Sequence, residues 1–219
     1  MYSGFDFGTS NCALGVLNQQ SQVQLVPLEK DNYFIPSTLY AYERELICEF
    51  VGREISEQRQ KNEYLQLRKA QLQRALIVRN DHDIRADEQS LFFGNEAFNQ
   101  YLDLPSEGYF IKSPKSFLGA SGLRNDFVHF FEDIITAMMQ NIKSRAERRL
   151  GHTLDKTVIG RPVNFQGLDA ERSNQQALQI LSTAARRAGF KNTEFLYEPI
   201  AAGLDFESKL QSNTKVLVV

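Results

Sequence analysis

The stretch GFDFGTSNCALGV, residues 4–16, is the most informative part of the sequence. Two short apolar runs, 2–7 and 12–17, flank a Gly-Thr-Ser-Asn turn, and this pattern predicts a β-hairpin. Gly8 lets the backbone of the turn approach a ligand, and successive N–H groups in such a turn can converge on an anion. Asp6 ends the first strand with a carboxylate suited to Mg²⁺ held through water. The hairpin tip is either a phosphate-and-metal corner or an ordinary polar turn.

A second informative pattern surrounds Glu198. Residues 193–197 predict a strand, and EPIAAG (198–203) predicts the helix that follows, because proline suits the first turn of a helix. Glu198 would then stand at a strand-to-helix corner, where α/β folds often carry functional side chains. Its alternative role is that of a carboxylate favoured by the dipole at the start of a helix.

Together, GFDFGTSN and EPIAAG resemble motifs in the nucleotide-binding domain of DnaK-type heat-shock chaperones, part of the actin-like ATPase superfamily. The family patterns there are G-I-D-L-G-T-T-N and N-E-P-T-A-A-A. Further matches follow in the same order, namely IPSTL (35–39), FGNEA (93–97), KSFLG (115–119) and the strand end 158–165. The resemblance covers almost the whole chain, with a gap at about 53–90. That insert and the Gly-Arg-Pro at 160–162 are similar to the chaperone-like YegD branch.

The resemblance implies an ATPase whose cofactors are ATP or ADP and Mg²⁺. Asp6 would hold the Mg²⁺ hydration shell, and the β- and γ-phosphates would be cradled by Gly8, Thr9, Ser10 and Asn11. Such a site needs charge neutralisation and an oriented water more than covalent chemistry.

Three further site residues follow from the same resemblance. Lys115 would face the γ-phosphate and the attacking water, with Lys112 a weaker claimant, although composition alone makes Lys115 a surface lysine. Glu198 would orient the metal-bound water or act as a base. Pro162 resembles the proline that relays the nucleotide state, with Arg172 as its arginine partner at a longer spacing than the family shows.

The implied fold class is α/β: a ribonuclease-H-like lobe with antiparallel hairpins, a β-α-β-α run and an inserted smaller α+β subdomain. Residues 1–38 and 119–219 would form the core subdomain, and 39–118 the insertion. The apolar spacing from Phe127 to Ala146 predicts a long core helix. The other predicted elements are strands near 23–28, 38–42 and 46–51, a long surface helix at 54–78, strand 156–163, helix 170–188 closed by Gly189, and helix 199–210.

Composition excludes little. The chain has 219 residues, 42% hydrophobic content and a formal charge of −2, which describe an ordinary globular protein. The absence of a basic excess argues against nucleic acid as a partner, and no apolar run is long enough for a membrane helix. Two cysteines do not make a disulfide framework, so we expect a cytoplasmic protein. The three histidines lack the spacing of metal ligands.

The end of the sequence, KVLVV (215–219), predicts a buried strand. In the resembled family this strand opens a second lobe and leads to a second phosphate loop. We therefore expect that this chain supplies only the first lobe, that its partner is the second lobe of the same parent chain, and that the chain alone is inactive. We also expect residues 216–219 to pair with another chain or to pack on the first lobe, since exposed apolar strands are adhesive.

Two other functions remain open. Actin-like filament ATPases also carry an E-P-x-A-A-like helix, and sedimentation with ATP would reveal a filament. Sugar or acid kinases of the same superfamily share a D-x-G-T-[TS] loop, and phosphorylation of a small acceptor would favour that class. The GTSN turn favours a chaperone-like ATPase over a filament-forming ATPase, and the EPIAAG helix argues against a kinase.

Overall fold

The computed structural model describes residues 2–120, 124–207 and 215, and these form a mixed α/β fold with two β-sheets. The larger sheet has six strands: β1 (Tyr2–Phe7), β2 (Asn11–Leu17), β3 (Val23–Leu25), β4 (Ile35–Pro36), β8 (Lys156–Arg161) and β9 (Asn192–Tyr197). Their order is β3-β2-β1-β8-β9, with β4 paired to β2. Strands β1, β2 and β3 are antiparallel, whereas β8 and β9 continue the sheet parallel to β1. The predicted hairpin of the first two strands is confirmed.

The smaller sheet is antiparallel, with β5 (Thr38–Ala41) between β6 (Leu91–Phe93) and β7 (Tyr109–Lys112). Helix α4 (Asn95–Asp103) packs against it, and a 3₁₀ helix follows at Pro114–Phe117. Between β5 and β6 the chain forms α1 (Arg44–Glu54), α2 (Gln58–Leu67) and α3 (Lys69–Asp81).

Helices α5 (Asn125–Leu150) and α6 (Ala170–Arg187) pack together and bury one face of the larger sheet. The residues of β1 alternate accordingly, since Phe5 and Phe7 are fully buried while Gly4 and Asp6 are exposed. Period-two alternation of this kind places successive side chains on opposite faces of a strand. Along β1, the larger sheet therefore has one face in the core and one face open.

The β-α-β-α run is confirmed as β8, α6, β9 and α7 (Glu198–Glu207). The Asp169 carboxylate accepts hydrogen bonds from the N–H groups of Glu171 and Arg172, which caps α6. Gly189 follows that helix with a φ of 90°, a left-handed conformation that favours glycine. Both helix-boundary signals were readable from the sequence.

Two predicted elements are wrong. Residues 46–51 lie in α1 rather than in a strand, because the buried Leu46, Ile47 and Val51 are spaced as on one face of a helix. The long helix predicted at 54–78 is interrupted at Arg68, which separates α2 from α3. The predicted strand at 216–219 lies outside the described residues.

Candidate functional site

A groove of about 860 Å³ lies over the open face of the larger sheet. Its floor includes Gly4 and Gly15, which are direct partners across β1 and β2, together with Gly160 of β8. A Cβ added to Gly4 would meet no atom within 4 Å, so this part of the floor is open backbone. The apolar side chains around the groove are partly exposed, namely Tyr2, Leu17, Val23 and Leu25.

One end of the groove is polar and gathers residues from distant parts of the chain. It is lined by Asp6, Gly8, Thr9, Lys115 and Glu198. Asp6 belongs to β1, and the next two follow in the turn before β2. Lys115 lies on the 3₁₀ helix and Glu198 is the first residue of α7. Three chain segments, at residues 6–9, 115 and 198, thus bring two carboxylates, an ammonium and a glycine turn to one place.

Lys115 and Glu198 form an ion pair, with 2.5 Å between Nζ and Oε1. The Lys115 side chain is 6% exposed and that of Glu198 is 43% exposed. A buried ammonium needs a counter-charge, and Glu198 provides it. Lys115 is therefore a buried lysine aimed at the groove rather than a surface lysine. Glu198 also stands at the start of a helix, so its two sequence-based roles are compatible.

Asp6 differs electrostatically from an ordinary surface carboxylate. Although it is solvent-exposed at the groove, loss of surrounding water raises the pKa of its carboxyl above the ordinary 3.8; Lys115 opposes this shift and Glu198 adds to it. An oxygen-rich ligand set that keeps its waters is what Mg²⁺ prefers. Of the groove carboxylates, Asp6 is the one without a cationic partner at ion-pair distance among the described residues, so it is the group that could hold a hydrated Mg²⁺.

The backbone at Gly8 leaves no room for a side chain. A Cβ on Gly8 would overlap the Asn11 carbonyl oxygen and lie 3.6 Å from Oδ1 of Asp6. The turn can therefore close tightly beside the Asp6 carboxylate only because residue 8 is glycine.

Four of the sequence-predicted residues do not line the groove. Ser10 and Asn11 are exposed in and after the turn, and Asn11 pairs with Pro36 of β4. Pro162 directly follows β8, where its carbonyl accepts a hydrogen bond from Nε of Arg161. The Arg172 side chain is 88% exposed and forms its ion pair with Asp169, 3.5 Å away.

Sequence reasoning missed the glycine floor of the groove. Gly160 illustrates the reason: a Cβ there would lie 3.4 Å from Cγ of Glu198, an ordinary contact distance, so this glycine borders a side chain that is distant in sequence. Glycines inside strands were the available signal, because they often mark a close approach by another group.

No known protein-family model matches the chain. Within residues 2–120, 124–207 and 215, no group of three or more His, Cys, Asp or Glu side chains is arranged to hold a metal ion by itself. In the same described part of the chain, no helix has the length and apolar character needed to cross a membrane.

Proposed function

We propose that this chain is the ATP-binding first lobe of a chaperone-like ATPase that uses Mg²⁺ and couples hydrolysis to a conformational switch. The observation that carries the proposal is convergence of separate chain segments on one groove, by Asp6, Gly8, Thr9, Lys115 and Glu198. A ribonuclease-H-like core is supported by the sheet, in which an antiparallel β3-β2-β1 meander continues into parallel strands joined through helices. The sequence resemblance to DnaK-type nucleotide-binding domains supports the same class.

The proposed chemistry divides the groove into binding and orienting groups. Backbone N–H groups of Gly8 and Thr9 and the Thr9 hydroxyl bind phosphate oxygens at the groove, and Ser10 and Asn11, which lie outside the groove, complete the turn that carries them. Lys115 moves its charge from Glu198 to the γ-phosphate, since an anion of higher charge competes for the same ammonium. Glu198 is then free to orient the attacking water or accept its proton. Mg²⁺, when bound beside Asp6, supplies neutralisation of the phosphate charge.

The chain is proposed to act together with the second lobe of its parent. The open groove leaves one side of a bound phosphate in water, and electrostatic groups act strongly only where water is excluded. Closure of the second lobe would supply the missing donors and the adenine pocket. Pro162, at the end of β8, is the proposed start of the relay, with Arg172 as a partner that would have to leave Asp169.

The proposal is tested by single-turnover hydrolysis of Mg·ATP in a protein that carries both lobes. Glu198→Gln and Lys115→Ala should each lower turnover by at least ~10²-fold, the usual scale for one acid–base or electrostatic group. Nucleotide affinity should fall less, because the phosphate turn remains. Lys112→Ala is the matched control, since Lys112 is an exposed lysine at the end of β7 and should leave turnover unchanged.

The chain by itself should bind ATP weakly and hydrolyse it no faster than background. Mg²⁺-dependent turnover by the chain alone, unaffected by either substitution, would overturn this mechanism. ATP-dependent sedimentation of polymers would instead indicate a filament protein, and phosphorylation of a small acceptor would indicate a kinase.

A further inference from the structure

Ser37 occupies the point where the chain passes from one sheet to the other. The preceding strand β4 pairs with β2 of the larger sheet, and the following strand β5 is the centre of the smaller sheet. The residue is 1% exposed. A small polar residue buried at such a crossing needs hydrogen-bond partners, and those of Ser37 all belong to segments of the candidate site.

Two of these hydrogen bonds hold the turn between β1 and β2. The Ser37 hydroxyl donates to the Gly8 carbonyl at 2.7 Å, and its backbone N–H donates to the Ser10 carbonyl at 2.9 Å. The C=O and N–H of a trans peptide point in opposite directions, and no described peptide bond is cis. Holding the Gly8 carbonyl therefore directs the N–H of Thr9 away from Ser37 and fixes its orientation.

A third hydrogen bond reaches the segment that carries Lys115. The Ser37 carbonyl accepts from the N–H of Ser113 at 3.0 Å. Ser113 has a φ of 56° directly before Pro114, a left-handed conformation that costs energy in a non-glycine residue and persists only where surrounding contacts hold it. The 3₁₀ helix that presents Lys115 starts at this point. Ser37 thus contacts both halves of the polar end of the groove.

We propose that Ser37 is a positioning residue that sets the candidate phosphate-binding turn against the segment bearing Lys115. The inference rests on the proposed function for the identity of the ligand, a nucleoside triphosphate with Mg²⁺. The geometric part concerns the orientation of the Gly8–Thr9 peptide and is independent of any ligand. Ser37 touches neither the phosphate nor the attacking water, so its effect passes through the turn and through Lys115.

The hydroxyl of Ser37 belongs to a short chain of hydrogen bonds. Its single proton is donated to Gly8, so the Cys12 thiol, with Sγ 3.3 Å from the Ser37 oxygen, is the donor in that contact. Burial raises the pKa of Cys12 to about 12, which keeps this thiol protonated. Removing the thiol leaves the Ser37–Gly8 bond in place, which makes Cys12→Ala a control for packing around Ser37.

The experiment compares Ser37→Ala, Ser37→Thr and Ser37→Val in the full chain. Thr and Val have the same shape, so any difference between them reports the hydroxyl and not the added methyl group. The readouts are the carbonyl ¹³C chemical shift of Gly8 and the shifts of the Thr9 and Ser10 amides during titration with Mg·ATP. Ser37→Ala and Ser37→Val should move the Gly8 carbonyl resonance and weaken Mg·ATP binding by roughly three- to tenfold, the size of one hydrogen bond.

Ser37→Thr should restore both the Gly8 resonance and the affinity, and Cys12→Ala should leave the Gly8 resonance near its wild-type position. A Gly8 resonance that is the same in the Thr and Val variants would overturn the inference, even where Mg·ATP binds. If the amide chemical shifts of Thr9 and Ser10 in the wild-type chain do not change during titration with Mg·ATP, the proposed function and the ligand part of the inference are wrong. The Gly8 carbonyl resonance would still decide whether Ser37 orients the turn.

Discussion

Asp6 carries an electrostatic cost that a bound cation would relieve. Loss of water around its carboxyl raises the pKa above 3.8, so the folded protein holds the proton of Asp6 more tightly than the unfolded chain does. Above that folded pKa the ionised side chain disfavours the folded state. Under the proposed function, a Mg²⁺ ion held through water would be the cation that offsets this cost.

Asp6→Asn should therefore raise the melting temperature of the ligand-free protein at pH 7, because the substitution removes the ionised carboxylate that disfavours the folded state. The difference should shrink as the pH falls through the folded pKa and vanish below 3.8, where both states are protonated. Thermal unfolding followed by circular dichroism across this pH range measures it. Asp155→Asn is the control and should lower the melting temperature at pH 7, because the hydrogen bond from Lys191 lowers the pKa of Asp155 and its ionised carboxylate stabilises the folded state. A lower melting temperature for Asp6→Asn at pH 7 would contradict the assignment.

Glycines on the same strand and in the adjoining turn should respond differently to alanine. Gly8→Ala should destabilise the protein by about 1–3 kcal/mol, because its Cβ would overlap the Asn11 carbonyl and force the turn open. Gly4→Ala should be neutral or stabilising by up to about 0.5–1 kcal/mol, because its Cβ points into open space on a strand. Urea unfolding of both variants measures the difference. Equal effects would show that the turn can move aside.

Sequence reasoning could identify Asp6, Gly8 and Glu198 because each stands at a chemically marked boundary between a strand and the next segment. It could not assign a role to Ser37. Three of its four hydrogen bonds go to backbone groups of residues 8, 10 and 113, and a backbone group is the same whatever the residue, so the sequence does not mark these partners. By composition alone, Lys115 is expected to be a surface lysine. Its buried ammonium is paired with Glu198, which lies 83 positions away, so the local sequence does not indicate this burial.

At the scale of elements, a buried ion network explains why the helix predicted at 54–78 is broken. Arg68 is fully buried, and its guanidinium binds both carboxylate oxygens of Asp133 and one of Glu132. Its backbone leaves helical geometry, with φ −106° and ψ 16°, and this ends α2 and starts α3. The partners of Arg68 lie on α5, more than sixty positions away in the sequence. The helix propensity of residues 54–78 therefore could not predict the interruption.

Arg68→Ala should destabilise the protein by about 3–5 kcal/mol, because it leaves a carboxylate buried with an incomplete set of partners. The matched control is Arg59→Ala, since Arg59 pairs with Glu63 on the exposed side of α2 at 3.0 Å, with side chains 85% and 58% exposed. That exposed pair should contribute no more than about 0.5 kcal/mol. Urea unfolding monitored by circular dichroism gives both values. Arg187 of α6 also faces this carboxylate, with Nη1 3.8 Å from Oδ1 of Asp133. A loss below 1 kcal/mol for Arg68→Ala would mean that Arg187 alone satisfies Asp133.

The predicted strand at 46–51 failed for a different reason. A short apolar run has the same appearance in a buried strand and in the buried face of a helix. The correct elements, such as α6, carried boundary signals in addition to periodicity, namely the capping Asp169 and the left-handed Gly189. Residues 46–51 had no such signals, and the deciding contacts come from α3 and α5, which pack against α1.

At the scale of the molecule, a continuous buried core joins the two sheets. The same hydrophobic cluster contains Phe5 and Phe7 of the larger sheet, Leu39 and Phe93 of the smaller sheet, and Ile135 of α5. The proposed division into 1–38 with 119–219 and an inserted 39–118 therefore separates segments of sequence that share apolar packing. A smaller cluster, formed by Tyr40, Phe92 and Ala97, lies between the three-stranded sheet and α4.

This shared core leads us to expect that both sheets unfold in one cooperative transition, because neither can open without exposing apolar surface of the other. The chain contains no tryptophan, so single tryptophans can report each sheet separately. Tyr2→Trp places a probe on the larger sheet and Tyr109→Trp on the smaller one, at side chains that are already 51% and 42% exposed. In urea, the fluorescence midpoints of both variants should coincide with the circular dichroism midpoint of the unsubstituted chain. Circular dichroism of each variant shows whether the substitution itself changes the midpoint. A Tyr109→Trp transition at clearly lower urea concentration, with the Tyr2→Trp transition unchanged, would instead show that residues 39–118 unfold as an independent subdomain. The shared hydrophobic cluster would then couple the unfolding of the two sheets less strongly than its burial implies.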